Sequence, residues 1–168
     1  MKRITVIFFV LLIVFASCAS MYIRPAITTQ VYRQSVPGDA VLIFKLVQRL
    51  LPVSGYKIAS VDAATGMITT VPVEMTVDPD ACDCGTALGL PVVKSEGIKV
   101  NVTFDVGIRG GEMIVNATII PEFSSAMAAI YAGMNIQCIS KGKVEELLAK
   151  NVLKSVKIPN NPLDFLNR

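Results

Sequence analysis

Three cysteines in the body of the chain, Cys82, Cys84 and Cys138, are the residues best placed to do chemistry. In an exported protein the expected product is a disulfide from Cys84 to Cys138, with Cys82 as the alternative partner. Such a bond fastens the long stretch 76–96 to the segment before the last helical pattern. Closing a loop of about 55 residues stabilises by roughly 4 kcal/mol in the chain-entropy account, less any strain. One thiol is then left over. Two sharper readings use all three sulfurs. A Cys-x-Cys with a distant third Cys suits a soft metal such as Cu(I) or Zn(II), and a Cys-x-Cys pair can also be redox-active. The chain has no His, the commonest metal ligand and general base. The pair also lacks the Cys-x-x-Cys context that lowers a thiol pKa. The structural disulfide is therefore favoured, with no metal or other cofactor expected.

The remaining polar clusters read blandly. Asp78, Asp80 and Asp83 in VDPDACD lack the glycine and terminal Glu of a calcium loop, so they are expected to be a solvated acidic loop. Glu145 and Glu146 are expected on the wet face of the last helix. No glycine-rich phosphate loop or nucleophile elbow is present. No catalytic residue is assigned, and a non-enzymatic protein is expected.

A fourth cysteine belongs to a different question. Lys2 and Arg3 precede an apolar run from Ile4 to Ala16, broken only by Thr5. That run suits a signal peptide and is short of the ~20 residues a transmembrane helix needs. Removing residues 1–17 leaves 14 basic against 13 acidic residues, so the apparent basicity is mostly leader. A nucleic-acid partner loses its main support. Cleavage beside small residues, for example after Ser20, would release a soluble protein. Alternatively, FASC at 15–18 resembles the lipobox of bacterial lipoproteins, with Phe15 in place of the usual Leu. That resemblance implies that Cys18 is the lipid-attachment residue, carrying palmitate-type acyl chains that hold the protein firmly to a membrane. Ala19, not Asp, follows it, which in a Gram-negative bacterium implies the inner leaflet of the outer membrane, facing the periplasm.

What must position the later cysteines is a small α+β domain. Residues 18–36 read as anchor and tether, with a short edge strand near 28–32. PGDAVLIFKLVQRLLPVSG is helical: Ala40, Phe44, Val47 and Leu51 recur at helical spacing, widened by Ile43 and Leu50. Tyr56 to Met75 reads as two strands about an Asp62–Gly66 turn, with Met67, Thr69, Val71 and Val73 sharing a face of the second. Ile98, Val100, Val102, Phe104, Val106 and Ile108 alternate with polar residues, so one sheet face is buried and the other wet. RGGE turns that strand into its partner, from about Glu112 to Glu122. Residues 123–139 read as a short helix or an arm. SKGKVEELLAKNVLKSV is a second helix, with Ser140 as its cap and Val144, Leu148 and Val152 on one side, Leu147 adjacent. The expected domain, 37–158, is a single antiparallel four-stranded sheet with an N-terminal and a C-terminal helix on one face, and 159–168 is an irregular tail.

That order resembles the helix-grip domains of BamC-type lipoproteins, in AVLIFKLVQRLLPVSGYKIASVDAATGMITT and SKGKVEELLAKNV. The family carries two such domains where this chain has room for one, and the cysteine loop is not part of its pattern. The resemblance implies an accessory role in outer-membrane assembly. The functional expectation is an envelope lipoprotein that binds a protein partner. The alternatives are an apolar ligand held between helices and sheet, or a thiol-based redox or metal carrier.

Overall fold

The computed structural model describes residues 22–94, 96–131 and 134–154. Its framework is the long hairpin of β9 (Ile98–Arg109) and β10 (Glu112–Pro121), in unbroken register from Glu112 opposite Arg109 to Pro121 opposite Val100. The alternation in sequence becomes two faces. Val100, Val102, Phe104, Val106 and Ile108 are buried, as are Met113, Val115, Ala117 and Ile119 across the ladder. Gly110 and Gly111 close the hairpin, both at positive φ, which suits a tight two-residue turn.

The expected single four-stranded sheet is corrected by the structure. Among the described residues the fold is mixed α/β, with three helices and three antiparallel sheets of six, three and two strands. The six-stranded sheet runs β2 (Tyr32–Ser35), β10, β9, β4 (Met67–Thr70), β3 (Ile58–Asp62), with β5 (Val73–Val77) also on β9. Three physical reasons account for the difference. Residues read as tether supply β2, which adds to the free edge of β10 through Tyr32 opposite Val115. The second strand of the 56–75 hairpin stops at Thr70 and a separate strand starts at Val73, with Pro72, which lacks the ladder donor, between them. Ile68 pairs with Val106 but Val73 pairs with Val102, so one extra residue is accommodated between them. This bulge flips the phase. Ile68 and Thr70 point inward before it, Val73 and Val77 after it, so Met67 and Thr69, which face outward, do not share a face with Val73 as expected. Finally, the 76–96 stretch is not plain loop but carries β6 (Cys82–Asp83), β7 (Thr86–Ala87) and β8 (Leu90–Pro91).

Helix α1 (Ala40–Val53) is capped by Asp39, whose carboxylate accepts from the N–H groups of Val41 and Leu42 at 2.9 and 3.0 Å. Its exit is a Schellman turn: Tyr56 N–H reaches Leu51 O, Gly55 N–H reaches Pro52 O, and Gly55 takes φ 92°. That turn delivers Tyr56 into the core, edge-on to Phe104 with ring centres 5.6 Å apart. Phe44, Val47 and Leu51 fill the space above the sheet, each contributing about 2 kcal/mol by burial. After the short helix α2 (Ser125–Ile130), helix α3 (Lys143–Lys154) covers the other half of the same face with Val144, Leu148, Ala149 and Val152. Leu147, expected beside that stripe, is exposed, and Ala149 is buried in its place. A small residue there lets the helix approach β10 closely.

Candidate functional site

Cys82, Cys84 and Cys138 meet at one junction, while Cys18 lies outside the described residues. β11 (Ile139–Ser140) pairs antiparallel with β6, Ser140 opposite Cys82 and Ile139 opposite Asp83. Carrying that register one residue further sets Cys138 opposite Cys84, and these two form the disulfide. Cys138 also bridges to Ile119 of β10, so the bond fastens the small two-stranded sheet to the large one. Lys141 closes the far side, its backbone N–H donating to Ala81 O at 2.9 Å and its Nζ to Pro79 O at 2.6 Å.

Cys82 is the thiol left over. It is buried, with its Sγ 4.0 Å from Cys84 Sγ. Burial, with a smaller push from the charge of Asp83, raises its pKa to about 11. At neutral pH the thiolate fraction is then about one in ten thousand, against a few per cent for an ordinary cysteine. A thiol that stays protonated is a poor nucleophile and a poor metal ligand.

The acidic residues of the loop act on its backbone. Asp78 accepts from the N–H groups of Asp80 and Ala81, and Asp83 accepts from Gly85 N–H at 2.7 Å. Asp80 pairs with Lys143 at the start of α3. Among the described residues no three His, Cys, Asp or Glu side chains are grouped to hold a metal ion.

Two participants escaped the sequence reading. The first is Tyr22, at the start of β1 (Tyr22–Ile23), which pairs with β7. Its hydroxyl lies 3.1 Å from Cys84 O and 3.2 Å from Gln137 O, and it accepts from Gln137 N–H at 3.2 Å. One side chain thus ties the N-terminal strand to both sides of the disulfide.

The second is Glu145, expected on the wet face of α3 and found completely buried. The missed signal was spacing: Glu145, Ala149 and Val152 lie on one helical line. Its Oε2 takes a 2.5 Å hydrogen bond from Ser140, whose Oγ also accepts from the Gly142 N–H at 3.1 Å just before the helix, while Oε1 has no hydrogen-bond partner. Glu146 alone keeps the expected half-exposed place, paired with Lys150 at 2.6 Å. Burial raises the Glu145 pKa above its ordinary 4.5, opposed by the Ser140 hydrogen bond. The fold therefore favours the protonated form. The group's contribution to stability is full below the ordinary value and declines as pH rises through the raised one. Glu145→Gln should flatten that decline. Relative to wild type, the variant should gain stability as pH rises from the ordinary carboxyl value through the raised one, read from urea midpoints across pH. Parallel stability curves for the two proteins would show that the carboxyl does not titrate differently in the folded state.

No known protein family matches this chain, and no curated protein matches it. The junction's chemistry is therefore read from its own geometry. It holds a formed disulfide, a protonated thiol and a buried acid with a hydroxyl partner, all facing packed protein. That arrangement secures segments to one another.

Proposed function

We propose that this chain is a non-enzymatic cell-envelope lipoprotein, anchored through acylated Cys18, that binds a protein partner with the outward face of its six-stranded sheet. The disulfide is consistent with an oxidising compartment. Among the described residues no helix is long and apolar enough to cross a membrane. Attachment through Cys18 is supported by the apolar run and the FASC stretch of the sequence.

The observation that carries the partner reading is the outward sheet face. Both long helices bury their stripes on the opposite face. Outward, Met67, Gly107 and Ile114 lie in register across β4, β9 and β10, with Met67 and Ile120 exposed. Below the Met67 row, Thr69 donates to Asp105 at 2.7 Å. Opposite Asp105, the Oδ1 of Asn116 is shielded from water without a hydrogen-bond partner. An apolar strip beside polar groups held in fixed positions suits protein recognition. After β10, Phe123, Tyr131 and Met134 are partly buried against the core. The space between helices and sheet is occupied by Leu51, Phe104, Leu148 and Val152, which favours a protein partner over an apolar ligand there. The protonated Cys82 disfavours thiol chemistry.

A photo-crosslinking side chain at Met67 should capture a discrete partner in cells, whereas the same group at exposed Leu42 of α1 should not. Equal labelling from both sites, or none from Met67, would remove the proposal.

A further inference from the structure

The three-stranded sheet of β1, β7 and β8 carries an unusual concentration of exposed aliphatic surface. Ile23 is 61% exposed, Leu88 54% and Leu90 66%. Leu88 and Gly89 form the turn between β7 and β8, both at positive φ. Leu88 thus holds a backbone conformation that disfavours a branched side chain, and it does so with that side chain in solvent. None of these three residues belongs to the core cluster or is packed against it among the described residues.

The register shows which way this hairpin tip faces relative to the N-terminus. Tyr22 pairs with Ala87 and Ile23 with Thr86 in antiparallel sense. Ala87 is the residue next to the turn, so the chain enters β1 from the tip end. Only residues 19–21 separate Cys18 from Tyr22. Fully extended, that leash spans at most about 14 Å. It cannot lengthen by drawing chain out of the domain while β1 stays paired, because the Tyr22 hydroxyl is held at Cys84 and Gln137.

We infer that the β7–β8 hairpin tip is a membrane foot, with Leu88 and Leu90 seated in the headgroup and upper acyl region of the bilayer that holds Cys18. The inference rests on the lipid-anchor reading of Cys18. An acylated cysteine lies at the interface, whose polar layer is several ångströms thick on each side. A leash of this length, entering at the tip, keeps Leu88 and Leu90 within reach of that layer. Aliphatic side chains there gain by leaving water, as on interfacial helices. The foot holds the domain in one orientation on the surface instead of leaving it to swing on a tether.

The chain contains no Trp, so one introduced Trp is a clean reporter. Full-length, membrane-extracted Leu90→Trp and Leu88→Trp proteins are placed in phospholipid vesicles containing acyl-chain-brominated lipid. Met67→Trp is the control, on the outward sheet face beside Gly107. That row lies roughly 17 Å along the hairpin from the Cys138 bridge. Intact mass is read on the same samples. The expected result is acylated protein in which the Leu90→Trp and Leu88→Trp reporters emit at shorter wavelength and are quenched at least about twofold more than the Met67→Trp control. Acylated protein in which neither reporter is quenched more than that control overturns the foot and leaves the anchor standing. Protein without acylation at Cys18 overturns the anchor reading, and the foot with it. Two reporter positions guard against one variant failing to fold, and an intact Cys84–Cys138 bond confirms the fold of each.

Discussion

Replacing Cys84 and Cys138 together by Ser should lower the stability of the oxidised protein by about 4 kcal/mol, a large share of the 5–15 kcal/mol that holds a domain of this size. The bond closes a separation of 54 residues, and the loss follows from the conformations returned to the unfolded chain. The effect should be uneven. β9 and β10 pair over ten positions and share the main core, so their amides should stay protected in hydrogen exchange. β6, β7 and β11 are two residues each and depend on the bond, so theirs should exchange quickly. Cys82 supplies an internal check. In the native wild type its buried, protonated thiol should resist iodoacetamide at neutral pH and react once after denaturation, by intact mass. In the double variant, loosening of β6 should make it reactive without denaturant. A stability loss under about 1 kcal/mol would contradict the loop-closure account, and rapid alkylation of the wild type would contradict the burial of Cys82.

How much of this was legible in the sequence depends on how local each signal is. The alternation from Ile98 to Ile108 needs no distant partner, and neither does the Gly110–Gly111 turn. The stripe of Phe44, Val47 and Leu51 is equally local, and all three are buried as expected. β1 and β2 are short, and their partners lie far along the chain, as Tyr22 does from Ala87 and Tyr32 from Val115. No local pattern announces such pairing, so β1 fell inside what reads as tether, and the edge strand expected near 28–32 overlaps β2 only at Tyr32. Sequence narrowed the disulfide to Cys82 or Cys84 with Cys138 and went no further. The choice is made by register, because Ser140 opposite Cys82 leaves Cys138 opposite Cys84. Glu145 was misread for another reason. Its charge outweighed its position, and the buried Ser140 hydroxyl that receives it lies on another element.

Gly85→Val should cost roughly 3 kcal/mol and release β1 while leaving the large sheet paired. Gly85 has φ 75°, and a Cβ there would lie 2.2 Å from the carbonyl oxygen of Ile23 and 3.1 Å from the Tyr22 ring. Neither side can yield cheaply. Gly85 is fixed by its own N–H on Asp83 and by Val92 N–H on its carbonyl, and the Ile23 oxygen is backbone in a paired strand. A β-branched residue adds strain at positive φ to this clash, so β1 must leave. Tyr22 then loses its grip on Cys84 and Gln137. The first strand still paired becomes β2 at Tyr32, and the leash from Cys18 lengthens from about 14 Å to nearly 50 Å. Hydrogen exchange should show loss of protection confined to β1 and β7. In Leu90→Trp protein carrying the same substitution, quenching by brominated lipid should fall to the level of the Met67→Trp control, with acylation unchanged. Gly85→Ala should follow the same course at about 2 kcal/mol. If Gly85→Ala matched wild type in stability and exchange, Ile23 could not lie this close to Gly85. If Gly85→Val freed β1 yet left the Leu90→Trp reporter fully quenched, the hairpin would be holding the membrane by its own affinity, and the short leash would not be what places it there.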